Sequence, residues 1–127
     1  MDEKSFIEIY RNVCNDLEIE CFEKSAKPFI KELCLIIAEV LALKDDFMVK
    51  IAHEALPAKL VAEVYSQLTN EHIKFVYDSF CDLGYSVKNK KAYLRTMLYN
   101  VVFEFSGHWL NQLNTDLKKE GGLLNDS

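Results

Sequence analysis

The segment between Asp82 and Glu104 contains four basic residues and no acid, with tyrosines interleaved among them. Lysine and arginine side chains bind phosphate oxygens and carboxylates, and tyrosine rings stack on nucleic-acid bases or pack against apolar side chains. The candidate binding residues of this segment, for DNA or for a protein partner, are Lys88, Lys90, Lys91, Tyr93, Arg95 and Tyr99.

The same residues also fit a helix face that is simply solvated. Three lysines and one arginine over this length are ordinary for an exposed helix surface. Lysines in the first turn of a helix oppose its dipole, however, and that unfavourable placement argues for a binding role. From the residues alone, nucleic-acid contact, protein contact and plain solvation all stay open.

The sequence contains no motif typical of an enzyme or a metal site. His53, His72 and His108 are far apart and none lies in an HExxH pattern. There is no GxSxG motif and no glycine-rich phosphate loop, and the chain has only 4 glycines. We therefore expect no enzymatic activity, no cofactor and no metal ion.

The four cysteines, Cys14, Cys21, Cys34 and Cys81, are scattered without a CxxC pair. Three of them fall on apolar positions of helical patterns, where a free cysteine behaves as a small hydrophobic residue. We expect reduced thiols in the core rather than disulfides or metal ligands.

Length and composition indicate one globular domain. The chain has 127 residues, of which 50% are hydrophobic and 28% charged. The longest apolar run, Leu33 to Leu43, is interrupted by Glu39 and is too short to span a bilayer. The N-terminal stretch MDEKSFIEIY carries acids where a signal peptide has a positive region. We expect a cytoplasmic protein with one helical domain over residues 1–120 and a flexible tail over residues 121–127.

The net charge of −5 is unevenly distributed along the chain. Residues 1–23 hold seven acidic and two basic residues, and the acidic and basic residues of the remaining chain balance. The chain therefore lacks the globally basic character of an autonomous nucleic-acid-binding domain. The acidic segment 1–23 has two interpretations that the sequence leaves open: a solvated helix, or a surface that docks on a basic region of this chain or of a partner.

Apolar residues spaced at i, i+3 and i+4 predict an all-α compact bundle of five to six helices. The second helix is apolar around more than half its circumference, which predicts that it is the central element of the core. A short hairpin or extended segment is predicted near residues 47–56. The predicted helices cover residues 5–17, 25–43, 57–68, 69–84 and 89–105, with a break at Ser106-Gly107 and a last short helix beyond it.

Particular residues predict where these helices begin and end. Ser25 is the expected N-cap of the second helix, with Pro28 in its first turn, and Pro57 suits the first position of the third. Thr69 and Asn89 are the expected N-caps of the fourth and fifth helices. The fourth helix is expected to end at Gly84 through a left-handed cap. Its predicted buried stripe is Ile73, Val76, Tyr77, Phe80 and Cys81.

The chain from Met48 to Asn100 also resembles a known family. The strongest matching strings are PAKLVAEVYSQLTNEHIKFVYDSF, over residues 57–80, and VKNKKAYLRTMLYN, over residues 87–100. They resemble the C-terminal domain of replication initiator protein A, a family from plasmids and integrative elements of Gram-positive bacteria. Less specific similarity extends over nearly the whole chain.

This resemblance implies a role in replication. In such initiators an N-terminal winged-helix domain binds the origin, and the helical C-terminal part is distantly similar to the C-terminal domain of DnaD primosome proteins. DnaD-type domains contact DNA and the helicase-loading machinery. Tyr93 stands at the first position of their tyrosine–isoleucine–tryptophan motif, and Met97 and Asn100 stand at the positions of the isoleucine and the tryptophan.

The resemblance therefore implies a non-enzymatic replication-initiation module that binds a host replication protein of the helicase-loader or primase type. Its binding face would be formed by the fourth and fifth helices and their basic residues. Two alternatives stay open: direct DNA binding by the same residues, and a structural or self-association domain.

Overall fold

A computed structural model describes the backbone of residues 3–83 and 88–119, with side chains over residues 5–82 and 88–104. The predictions for Gly84 and for the tail 121–127 lie outside these residues. The described elements are α1 (Glu3–Asp16), a 3-10 turn (Ile19–Cys21), α2 (Lys27–Leu41), β1 (Met48–Ile51), β2 (Glu54–Pro57), α3 (Ala58–Tyr65), α4 (Asn70–Leu83) and α5 (Lys90–Lys119).

The described chain is mostly helical and contains a small two-stranded antiparallel sheet. This confirms the predicted helical architecture and the predicted hairpin near residues 47–56. Within the described ranges, no helix combines the length and hydropathy needed to cross a membrane.

Helix α2 is the centre of the core, as its apolar pattern predicts. It packs against α1, α3, α4 and α5, and Ile30, Leu33 and Cys34 are fully buried within it. Burying aliphatic side chains of this size stabilises a fold by about 1.5–3 kcal/mol each. Helix α2 therefore fixes the position of α5, whose Leu94 and Leu98 are also fully buried.

The start of α2 differs from the prediction. Helix α2 begins at Lys27, and Ala26 occupies the N-cap position without a side-chain hydrogen bond. The predicted cap, Ser25, instead donates its hydroxyl hydrogen to Glu23 Oε1 at 2.7 Å. Pro28 lies in the first turn as predicted, where its missing N–H costs no helical hydrogen bond.

The hairpin is formed by β1 and β2 with Val49 opposite Leu56 and Ile51 opposite Glu54. Its turn is held by Ala52, which has a φ of 56° and donates its backbone N–H to Thr96 Oγ1 of α5 at 2.9 Å. The same hairpin leads directly into α3, because Pro57 is the N-cap of α3 and Ala58 its first residue. The prediction of Pro57 as the first helical residue is therefore wrong by one position.

Helix α4 begins with a reciprocal cap at Thr69, as predicted. Thr69 Oγ1 accepts from the His72 N–H at 3.4 Å, and the Thr69 N–H donates to His72 Nδ1 at 2.9 Å. Histidine thus occupies the position that glutamate or glutamine holds in a capping box. Along the same helix Cys81 is exposed, so its predicted place in the buried stripe is wrong.

The predicted break at Ser106-Gly107 is also wrong, because α5 continues through it to Lys119. One glycine inside a helix costs about 1 kcal/mol relative to alanine, which helix-forming neighbours can offset. At the other end, Asn89 caps α5 as predicted: its Oδ1 accepts from the Ala92 N–H at 3.1 Å.

Candidate functional site

Lys90 lies at the start of α5, against α2 and α4. Its Nζ is 3.0 Å from Glu32 Oε1 and lies 5.4 Å from the ring centroid of Phe29 and 5.6 Å from that of Phe80. An ammonium group within about 6 Å of an aromatic ring is attracted to its face. Lys90 is therefore engaged by one carboxylate and two rings of its own chain.

Tyr93 belongs to the same aromatic cluster. Its ring centroid is 6.1 Å from that of Phe80, which in turn stacks on Phe29 at 5.1 Å. Tyr77 adds a further ring, 5.5 Å from Phe29. Contacts of this kind hold helices together, so the structure gives Tyr93 a packing role between α5 and α4.

Lys91 pairs with α2 rather than with α4. Its Nζ lies 2.7 Å from Glu39 Oε1, and both side chains are about half exposed. Lys88 precedes the helix and is exposed, and within the described ranges no carboxylate pairs with it. Two of the four predicted cations thus have acidic partners.

Arg95 connects α5 to the hairpin and to α3. Its Nη1 donates to the Lys50 carbonyl oxygen at 3.4 Å, a long hydrogen bond. Its own carbonyl accepts from the Tyr65 hydroxyl at 2.7 Å. Burial raises the pKa of Tyr65 well above its usual range, and the nearby Arg95 charge opposes that shift only in part. Tyr65 therefore remains a neutral hydrogen-bond donor.

Tyr99 lies one turn beyond Arg95 and packs on Phe103, with ring centroids 5.2 Å apart. Phe103 is 52% exposed, although the sequence pattern gives it no role. Because helix residues four positions apart lie on one side, Lys91, Arg95, Tyr99 and Phe103 form a single row along α5. We call this row the α5 row.

The six predicted residues therefore do not form one patch. Lys90 and Tyr93 turn towards the aromatic cluster, whereas Lys91, Arg95 and Tyr99 belong to the α5 row. At 3.6 residues per turn, Lys90 and Arg95 are separated by roughly 140° around the helix axis. Within the α5 row, Arg95 contacts the hairpin and Lys91 contacts α2.

A groove of about 420 Å³ lies beside the α5 row, between α1, the end of α2 and β1. Arg95 and Glu39 line one side of it, and Met48 and Lys50 line the strand side. Its remaining lining is apolar and consists of Phe6, Val40, Ala42, Leu43 and Val49. An apolar groove with a few charged groups at its rim is the usual form of a ligand or peptide site.

Sequence reasoning missed the partners that α2 supplies. Glu32 and Glu39 are seven residues apart and so lie on one face of α2. That spacing could have indicated a helix face whose carboxylates pair with cations of another helix. The acidic segment 1–23 does not supply these partners in the described part of the chain; its Glu20 pairs instead with Lys27 at 3.0 Å.

The histidines and cysteines are dispersed over the described residues. His53 is exposed in the hairpin turn and His72 is buried in the α4 cap. Cys34 is buried, Cys14 is half-buried, and Cys21 and Cys81 are exposed. Across the side chains that the structure describes, no group of three or more metal-binding residues comes together.

Comparison with known proteins identifies one family. The sequence profile described as a family of unknown function (DUF6017) matches residues 2–120. Neither a curated protein nor a solved structure shows a significant match to the chain.

Proposed function

We propose that this chain, which belongs to the family of unknown function DUF6017, is a non-enzymatic module of replication initiation that binds a host replication protein. The partner is of the helicase-loader or primase type, and the module acts in the cytoplasm as the C-terminal part of a plasmid-type initiator. The replication role rests on the resemblance of residues 48–100 to replication initiator protein A.

One observation favours a protein partner over DNA. Lys90 and Lys91 lie within 3.0 Å of Glu32 and Glu39, so carboxylates alternate with cations across the surface between α2 and α5. A DNA phosphate would have to displace these carboxylates or approach them closely, and like charges repel. A protein surface can present charges of both signs, together with apolar side chains, to this arrangement of carboxylates and cations.

Exposed apolar side chains on the same surface add to this preference. Leu35 of α2 is 40% exposed and lies on the helix face that carries Glu32 and Glu39. Phe103 extends the α5 row. Protein interfaces combine an apolar, often aromatic, centre with a polar rim. On this surface Leu35 and Phe103 supply apolar area, and the charged residues of α2 and α5 supply polar groups. The binding residues in this proposal are Lys88, Lys91, Arg95 and Tyr99, with Lys90 and Tyr93 holding α5 in place.

The experiment compares two triple variants in a pull-down of purified helicase loader and primase from a Gram-positive host. Lys88→Glu/Lys91→Glu/Arg95→Glu reverses the proposed face, and Lys24→Glu/Lys31→Glu/Lys59→Glu reverses three exposed lysines elsewhere. Both variants change the net charge equally. Loss of capture in the first alone supports the proposal, and equal capture with an intact fold contradicts it.

The DNA alternative is tested on the same proteins. Direct binding through three or four cations predicts an affinity that falls with salt at a log–log slope of roughly −0.9 per neutralised phosphate. If the affinity for DNA falls steeply with salt in the wild type, and the first variant loses this dependence, the partner of these residues is DNA rather than a protein.

A further inference from the structure

The two edges of the hairpin differ in their capacity to bind another strand. Ala58 N–H donates to the Phe47 carbonyl at 2.8 Å, so the ladder between β1 and β2 continues to this pair. In an antiparallel ladder, hydrogen-bonded pairs alternate with non-hydrogen-bonded ones. Phe47, Val49 and Ile51 therefore direct their backbone groups at β2. Met48 and Lys50 direct theirs away from it.

The outer edge of β2 lacks an N–H donor at Pro57, whereas the outer edge of β1 is occupied only in part, by α5. Pro57 pairs with Met48 and offers no N–H, which is a common way of protecting an edge strand. On β1, α5 engages the Lys50 carbonyl through Arg95 and the Ala52 N–H through Thr96. No hydrogen bond within the described ranges satisfies the Met48 N–H, the Met48 carbonyl or the Lys50 N–H.

These three backbone groups lie at the groove of about 420 Å³. A strand placed beside β1 would direct alternate side chains into the apolar lining formed by Phe6, Val40 and Leu43. Its other side chains would lie on the exposed face, beside Met48, which is 57% exposed, and Lys50. The groove thus supplies both main-chain partners and a place for side chains.

The charges at the groove determine the chemistry of that strand. Glu39 is already paired with Lys91 at 2.7 Å, which leaves Arg95 and Lys50 as the rim charges that have no carboxylate partner among the described side chains. A carboxylate on the incoming strand would meet both of them. A second copy of this chain is disfavoured, because pairing of two β1 edges would bring a second Arg95 and Lys50 against the first pair.

We propose that β1 and the adjoining groove bind an extended peptide segment of a partner protein by strand addition. The segment alternates apolar residues, which enter the groove, with polar residues that include a carboxylate opposite Lys50 and Arg95. Main-chain hydrogen bonds provide affinity in such complexes and side-chain pockets provide specificity. This inference rests on the proposed function only in that the groove adjoins the α5 row through Arg95.

The test uses a fluorescein-labelled synthetic peptide that alternates valine with aspartate and threonine. Two further peptides carry N-methyl groups on alternate residues, one set on the valines and one on the polar positions. Because a strand pairs along one edge with only every second residue, one of the two methylated peptides should lose binding and the other should keep it. Fluorescence anisotropy measures the affinities, and hydrogen exchange should show protection of the Met48 and Lys50 amides.

A matched pair of variants tests the edge itself. Lys50→Pro removes an N–H from the outer edge of β1, and Ala55→Pro removes one from the outer edge of β2, without removing a β1–β2 hydrogen bond in either case. We expect Lys50→Pro to weaken peptide binding by roughly tenfold or more and Ala55→Pro to leave it unchanged. Arg95→Glu should also weaken it, which covers the case in which the proline variants fail to fold.

Three results would overturn the inference. They are absence of peptide binding to the wild-type chain, binding that leaves the Met48 and Lys50 amides unprotected, and a wild-type dimer in sedimentation that Lys50→Pro dissociates. Peptide failure with retained capture of the replication protein would remove this inference alone. Peptide binding without capture of any replication protein would remove the proposed function alone.

Discussion

Lys91 Nζ lies 2.7 Å from Glu39 Oε1, joining the first turn of α5 to the last turns of α2. The pair brings a carboxylate of α2 to the segment between Asp82 and Glu104, whose own sequence holds four basic residues and no acid. Glu39 also lines the groove together with Arg95 and Lys50, for which no carboxylate partner lies among the described side chains. The balance of charge on this surface is therefore set by contacts between helices that are distant in sequence.

The first prediction concerns the strength of this ion pair. Exposed pairs contribute about 0.2–1 kcal/mol, because solvent screens the charges and two long side chains lose freedom. A double-mutant cycle with Lys91→Ala and Glu39→Ala should give a coupling energy in that range, measured by urea unfolding. A coupling energy of several kcal/mol would contradict the exposed geometry and indicate a buried pair.

The second prediction concerns pH and the cap of α4. Burial lowers the pKa of His72 below its ordinary value of 6.5, and the smaller effect of Glu71 opposes that shift. Because the folded state disfavours the proton, the stabilisation is complete above pH 6.5 and is lost as the pH falls through the lowered pKa. Protonation also converts Nδ1 from an acceptor into a donor, which breaks its bond to the Thr69 N–H.

Urea unfolding between about pH 8 and pH 5 tests this dependence. As the pH falls, we expect the free energy of unfolding to decrease more steeply for the wild-type chain than for His72→Gln. The comparison variant is His53→Gln, which changes an exposed histidine outside the α4 cap. Equal slopes for the wild type and His72→Gln would show that the α4 cap does not titrate in this range.

The third prediction concerns the hairpin turn. Ala52 adopts a φ of 56°, and the left-handed region costs a non-glycine residue roughly 1–2 kcal/mol. Ala52→Gly should therefore stabilise the chain, by up to about 1 kcal/mol after the added entropy of the unfolded glycine. The comparison is Ala55→Gly, in the middle of β2, which should destabilise. Thermal unfolding measures both, and destabilisation by Ala52→Gly would contradict the turn geometry.

The fourth prediction concerns thiol reactivity. Burial raises the pKa of the Cys34 thiol far above its usual range, and the neighbouring Cys14 raises it further. The thiolate is the reactive form, so Cys34 should react with iodoacetamide only after unfolding. The exposed Cys21 and Cys81 should react in the native state. Mass spectrometry of labelled peptides identifies the sites, and native labelling of Cys34 would contradict its burial.

Local signals in the sequence predicted much of the fold. The caps at Thr69 and Asn89 were predictable because the free N–H groups at the start of a helix bond to side chains that are near in sequence. The position of Pro28 was predictable because proline has no N–H and is tolerated only in the first turn. The central position of α2 follows from its wide apolar face. The predictions at Ser25 and Gly107 were wrong, because a residue type that permits a helix cap or a helix break does not require one.

The candidate site was less predictable, because its geometry depends on contacts across the fold. The pairing of Lys90 with Glu32 joins residues from α5 and α2, and no local pattern specifies it. The same holds for the Lys50 carbonyl that Arg95 contacts. Spacing in the sequence showed which residues α5 carries, whereas packing determined which of them face the groove.

The affinity of the module for purified helicase loader or primase tests the central claim most directly. Calorimetric titration would compare the wild type with Lys88→Glu/Lys91→Glu/Arg95→Glu and with Lys24→Glu/Lys31→Glu/Lys59→Glu, each checked for helical content by circular dichroism. We predict an affinity lower by roughly tenfold or more for the first variant and an unchanged affinity for the second. Equal affinities for all three folded proteins, or no binding to either partner by the wild type, would contradict the claim.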